Sequence, residues 1–160
     1  MDESEQIIVQ LAETYKKPDE FIAILEKLVD VSPNEKGNFF LHVGIVLYKF
    51  SYFSFALNSW SRALNYFIRT NDKIGESKCY GNLGIAYQSL GDYGKAIEYH
   101  ENSLAISKDI GDRAGESSCY TNLGIAYQSL GDYGKAIEYQ ENSLAIYKDI
   151  GDRAGESRCY

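Results

Sequence analysis

Residues 75–114 of this chain read GESKCYGNLGIAYQSLGDYGKAIEYHENSLAISKDIGDRA, and residues 115–154 repeat them with four changes. The changes are Lys78 to Ser118, Gly81 to Thr121, His100 to Gln140 and Ser107 to Tyr147, and GESRCY at residues 155–160 opens the same text again. A fixed period of this size constrains the fold more than any other feature. Each unit must bury its apolar face on its neighbours, so the chain is expected to form a solenoid with no central core.

Within a unit, the turn signals divide the forty residues into two helices. Gly91 and Gly111 sit where a helix ends in the left-handed conformation that glycine adopts cheaply, and Asp92 and Asp112 follow as caps of the next helix. This predicts helix one from about Gly75 to Leu90 and helix two from Asp92 to Ile110, with the pattern repeated over 115–150. Loops this short force neighbouring helices antiparallel. Gly84 and Ala96 lack bulk in mid-helix, and a glycine there costs about 1 kcal/mol in helix propensity. Its recurrence at 44, 84 and 124 therefore predicts a close helix contact, with Gly84 facing Ala96.

The same frame extends backwards at low identity. Gly44 aligns with Gly84, Ala56 with Ala96 and Leu64 with Leu104, which makes residues 35–74 a divergent copy with helices near 34–50 and 52–70. Ser32-Pro33-Asn34-Glu35 starts it with a serine cap, a first-turn proline and a glutamate three residues after the cap. Ahead of it, Ile7, Ile8, Leu11 and Ala12 recur at helical spacing, and Pro18 opens a second apolar helix over about 19–30. Residues 1–34 read as a degenerate helical hairpin, followed by units at 35–74, 75–114 and 115–154 and the start of a further one at 155–160.

Charge narrows the partners. A net charge of −7, with lysine and arginine scattered through the units and forming no stripe, argues against nucleic acid or an anionic membrane as the main partner. Asp2-Glu3-Ser4-Glu5 after Met1 is unlike a secretory signal, and the most apolar stretch, Phe39–Leu57, reads as two helices meeting at a turn rather than a membrane span. A cytoplasmic chain is expected. Cys79, Cys119 and Cys159 lie one unit apart, too far for pairing within the chain, and read as small buried residues. No metal or cofactor is expected. The two histidines, His42 and His100, have no nucleophile or carboxylate at a recognised spacing, so no catalytic residue is assigned and an enzyme is not expected.

Tyr80, Leu83-Gly84, Tyr87 and Ala96, with their counterparts Tyr120, Leu123-Gly124, Tyr127 and Ala136, form a pattern that resembles the tetratricopeptide repeat. Tyrosine stands in the tryptophan slot of that pattern, and His100 and Gln140 replace its later aromatic, which the divergent copy keeps as Trp60. No proline closes the unit, and a longer second helix accounts for forty residues. The NLG-x-AY and GDR-x-GE segments are most similar to long repeats of the Leu-Gly-Asn repeat-enriched type. The resemblance implies a right-handed superhelix of helix pairs, an α-solenoid acting as a protein-interaction scaffold. It further implies a groove for a peptide or helix on the concave face, lined by the first helices.

By that resemblance the groove comprises Asn38, His42, Ile45, Tyr48 and Lys49 in the divergent copy, Lys78, Asn82, Ile85 and Gln88 in the next, and Ser118, Thr121, Asn122, Ile125 and Gln128 in the last. Asn82 and Asn122 match an asparagine that grips ligand backbone, since an amide both gives and accepts hydrogen bonds. The asparagines also suit a structural role, and Ile85 and Ile125 suit a buried seam between units. Two of the four differences between copies, 78/118 and 81/121, fall on this groove. A second reading stays open: an array whose main contact is end-to-end stacking with itself, natural or engineered. Helix two of the last copy would lack most of a covering neighbour, so either the chain is a fragment of a longer array or that end is covered by another molecule, and the end is expected to pack against a second copy.

Overall fold

The computed structural model describes residues 2–151, and every regular element among them is a helix. In chain order these are α1 (Glu3–Thr14), α2 (Pro18–Leu28), α3 (Pro33–Lys49), α4 (Phe53–Thr70), α5 (Lys73–Ser89), α6 (Tyr93–Asp109), α7 (Arg113–Ser129) and α8 (Tyr133–Ile150). The described residues form two compact units, with the division falling inside α5 between Cys79 and Tyr80.

The joints explain why the helices stop and start where they do. Left-handed residues stand at Ser51, Asn71, Gly91, Gly111, Gly131 and Gly151. After each of the first five, the next backbone N–H reaches back to the carbonyl five residues earlier: Tyr52 to Leu47, Asp72 to Phe67, Asp92 to Tyr87, Asp112 to Ser107 and Asp132 to Tyr127, at 2.8–3.0 Å. That closure satisfies a carbonyl the helix would otherwise leave open. Four of those five residues are aspartates, and each then caps the following helix, its carboxylate accepting from the N–H of Gly75, Lys95, Gly115 or Lys135. One residue thus ends one helix and starts the next. The first helix of each regular copy consequently begins two residues before the expected Gly75 and Gly115, because the aspartate sets the cap.

In the first unit, α3 and α4 pack face to face, and α1 and α2 cover one side of the pair. Ser32 and Glu35 form the expected capping box at the start of α3, and Asp2 and Glu5 form another at the start of α1. The core is aromatic: Phe21, Phe40, Trp60 and Phe67 are fully buried, with Phe21 edge-on to Phe55 at 5.5 Å. Trp60 lies over Gly44 and donates its indole N–H to the Leu41 carbonyl at 3.1 Å. Phe67 fills the space left by Gly37 on one side and Gly75 on the other.

In the second unit, α7 packs against both α6 and α8. Leu104, Cys119 and Leu123 form a buried cluster, with Ile97, Tyr120, Tyr127 and Tyr139 packed around it. Tyrosines stack in both copies, Tyr87 on Tyr99 at 5.3 Å and Tyr127 on Tyr139 at 5.4 Å. Lys95 and Lys135 sit over Tyr87 and Tyr127 at 4.9 and 4.7 Å from the ring centres, a cation–π arrangement.

The recurring glycine does mark a close contact, but its nearest neighbour is not the alanine named from sequence. A Cβ on Gly84 would fall 2.5 Å from the His100 ring, and one on Gly44 would fall 2.3 Å from Nε1 of the Trp60 ring. On Gly124 it would meet the Gln140 side chain at 2.9 Å and the Ala136 carbonyl at 3.2 Å. The glycine thus makes room for the residue one turn after the alanine. Where Trp60 has a hydrogen-bond acceptor, His100 is fully buried with neither ring nitrogen partnered.

Cys79 and Cys119 are buried free thiols, and Cys159 lies outside the described residues. Burial pushes the Cys79 thiol up to about 12 and raises that of Cys119 as well. The reactive species is the thiolate. Native chain at pH 8 should therefore leave Cys79 and Cys119 unlabelled by iodoacetamide, and both should react once urea unfolds it. Mass mapping of the labelled cysteines checks this.

Candidate functional site

The face of α7 that turns away from the buried cluster repeats at helical spacing: Ser118, Thr121, Asn122, Ile125 and Gln128. Ser117, Leu123, Gly124 and Ala126 of the same helix are buried. Four of the five outward residues, Ser118, Thr121, Asn122 and Ile125, join Tyr147 of α8 around one open cleft of about 340 Å³. Beneath it runs a hydroxyl network. Thr121 Oγ1 and Ser143 Oγ are 2.7 Å apart, and Ser143 also donates to the Ser117 carbonyl at 2.9 Å. The network locks α7 to α8 and fixes the Thr121 rotamer that shapes the cleft wall.

The side chains in the cleft are neutral, so it offers shape and hydrogen bonds rather than charge. Ser118 donates to the Ala114 carbonyl at 3.0 Å. The Asn122 amide makes no side-chain hydrogen bond with the described residues, which leaves its donor and acceptor for a ligand. Ile125 is 38% exposed and its counterpart Ile85 is 37% exposed, so both belong to the surface rather than to a buried seam.

The remaining candidates are also at the surface. Asn82, Ile85 and Gln88 occupy the same face of α5 in the second unit, and Lys78 lies on the α5 segment of the first. Asn38, His42, Ile45, Tyr48 and Lys49 run along one face of α3. Several of these are engaged locally. Asn38 donates to the Asn34 carbonyl at 3.2 Å, Lys49 pairs with Glu5 of α1 at 2.9 Å, and Tyr48 packs on Trp60 at 5.7 Å.

Sequence reasoning missed Tyr147, although the signal was present. Ser107/Tyr147 is one of the four differences between the copies, and with it three of the four (78/118, 81/121 and 107/147) concern positions that line this cleft in the last copy. A second cleft, of about 300 Å³, lies between α2 and α4. Two of its polar side chains are tied up between the helices: Asn58 donates to Asp19, and Arg62 donates to Glu26, which also accepts from Tyr66, each at 2.7 Å. The Arg62 guanidinium holds the Glu26 carboxyl below its usual range. That cleft reads as a brace between two helices. Among the described residues, no group of three or more His, Cys, Asp or Glu side chains converges as metal ligands would. No described helix is long and apolar enough to cross a membrane.

The sequence profile of the tetratricopeptide repeat matches residues 41–109 and 80–149, which together cover more than half of the chain. The chain belongs to the tetratricopeptide repeat family. The fold is all-α and built of tetratricopeptide helix pairs, a type that generally mediates protein interaction and is typically non-catalytic. Among solved structures, the chain is similar to the tetratricopeptide domain of Arabidopsis FLU at 26% identity. That match covers 74% of this chain and 99% of that one, with a TM-score of 0.70. It is similar in fold to the apo form of RapI, at 23% identity and a TM-score of 0.76 over 92% of this chain and 54% of that one. A Rap protein solved in complex with Competence and Sporulation Factor is similar at 21% identity and a TM-score of 0.72, over 81% of this chain and 36% of its own length. The tetratricopeptide chain thus spans about half or less of the two Rap proteins. No curated protein matches it.

Proposed function

We propose that this tetratricopeptide chain is a non-catalytic binding module that holds a peptide or helix against the outward faces of its first helices. The observation that carries the reading is the cleft between α7 and α8. Four residues named from sequence line it, and the Asn122 amide within it is unspent. An asparagine on a rigid helix is suited to main-chain recognition, because its amide can accept an N–H and donate to a carbonyl of an extended peptide. Ile125 adds an apolar contact at the same wall. The Rap protein complex supports the reading, since a similar fold there holds a named factor. The proposed repeat limits are 35–74, 75–114 and 115–154, each contributing one first-helix face.

The test compares immobilised chain with its Asn82→Ala, Asn122→Ala double variant as bait in the same lysate. Loss of a bound protein from the double variant, with the helical circular-dichroism signal unchanged, is the expected result. A partner retained equally by both baits would remove the asparagines from the interface and end this reading.

A further inference from the structure

In the divergent copy, Arg62, Asn65, Tyr66 and Arg69 recur at intervals of three and four residues and so form one stripe along α4. The regular copies have no such stripe. The matching positions of α6 are Asn102, Ala105, Ile106 and Asp109, with the charge at the last one reversed. The stripe lines an open cleft of about 140 Å³ beside Glu26 of α2. This cleft adjoins the braced one and shares Arg62 and Asn65 with it. Both guanidiniums lie against the buried Tyr66 ring, 5.8 and 5.9 Å from its centre, a contact that restrains them. Arg62 uses its Nε–H on Glu26, and Tyr66 donates to the same carboxylate oxygen, both at 2.7 Å. The Nη groups of Arg62, the Arg69 guanidinium and the Asn65 amide have no hydrogen-bond partner among the described residues. Lys36 of α3 adds a positive charge within electrostatic reach of Glu26. Three cations thus stand to one carboxylate here, in a chain whose net charge is −7.

We propose that this cleft between α2 and α4 is an anion site that takes a phosphate monoester, with Arg62, Asn65 and Arg69 as its donors. A brace alone needs one arginine for one carboxylate, so the second arginine and the asparagine are surplus to it. A phosphate monoester has about −1.5 to −2 charges at neutral pH and three acceptor oxygens. Those match the surplus positive charge and the three donor side chains. Arginine suits the task because its planar fork can give two parallel N–H bonds to phosphate oxygens. Glu26 does not repel the ligand outright, since its charge is already met by Arg62 and Tyr66, and it holds Arg62 at the cleft. The proposal is independent of the groove reading, because its three donors all lie on a second helix.

The test titrates the full chain into a fluorescein-labelled peptide, Gly-Ser-phosphoserine-Ser-Gly, at low salt and follows anisotropy. Saturable binding is expected, absent with the unphosphorylated peptide and weakened about tenfold or more by Arg69→Gln, the scale of a lost charge-assisted hydrogen bond. Arg69 is exposed, so this substitution should leave the melting temperature unchanged. Arg69→Lys, which keeps the charge but not the fork, should recover part of the affinity. Competition with inorganic phosphate then separates the sources. Displacement at concentrations similar to the peptide's own Kd supports free phosphate as the ligand, and much weaker displacement supports a phosphorylated side chain. No saturable binding, or binding unchanged by Arg69→Gln, overturns the proposal. Equal binding of a peptide with glutamate in place of phosphoserine overturns the choice of phosphate.

Discussion

Gly44→Ala should lower the stability of the first unit by about 2–3 kcal/mol, the cost of overpacking a rigid core. On an exposed helix the same change would stabilise by about 1 kcal/mol, because alanine is the better helix former. Packing wins here because the added methyl would lie 2.3 Å from Nε1 of the Trp60 ring, whose indole N–H is held on the Leu41 carbonyl. The ring cannot retreat without breaking that bond inside an apolar core. Gly124→Ala supplies the contrast. Its methyl would meet the flexible Gln140 side chain first, at 2.9 Å, and Gln140 is only half-buried and free to swing aside. Its cost should be smaller than that of Gly44→Ala, and urea unfolding followed by Trp60 fluorescence and by hydrogen exchange in α7 separates the two. If the order were reversed, the glycine–ring contact would not be what keeps these positions empty of side chain.

Acid should loosen the second unit through His100. Burial without a partner depresses this imidazole to about 4, from 6.5 in an unfolded chain. The folded unit keeps His100 neutral while the unfolded chain takes up a proton, so the neutral core is fully stable above about pH 6.5. Stability then falls as the pH drops towards 4. The shift corresponds to about 3 kcal/mol at the bottom of that window. His100→Gln, which copies the residue that the last repeat has at Gln140, removes the titration. Amide exchange in α6, measured at pH 7 and pH 4.5, should show about 2–3 kcal/mol less acid destabilisation in the variant. The Glu26 carboxyl, lowered by Arg62 in the first unit, loses its contribution at lower pH still and is unaffected by this substitution. An unchanged pH response in His100→Gln would mean that water or a carboxylate reaches the ring.

Much of this was legible in the residues, and the reasons differ by element. Helix ends were plain because glycine and aspartate recur at each joint, and local backbone chemistry decides a joint without help from distant contacts. The pairing of glycine with a particular neighbour was not, since Ala96 and His100 lie on the same side of one helix and only the packed rings select between them. The surface face of α7 could be placed by spacing and family likeness. Tyr147 could not, because it comes from another helix, and the cleft it completes exists only once α7 and α8 are locked by Ser117, Thr121 and Ser143. Asn71 and Ser51, which take the left-handed conformation without being glycine, were equally silent in the divergent copy.

The left-handed residues at 51, 71, 91, 111, 131 and 151 beat at intervals of twenty, half the length of the repeated text. Any copying event that spans a multiple of twenty would keep every stop in phase. A copy of twenty alone, however, would set two first helices side by side, glycine notch against glycine notch, with no ring to fill the gap. A copy of forty preserves both the metre and the alternation of a notch and the side chain that fills it, whether Trp60, His100 or Gln140. Growth of this chain by whole pairs is thus a consequence of its packing, and slippage by half a pair would be eliminated at the first attempt to fold.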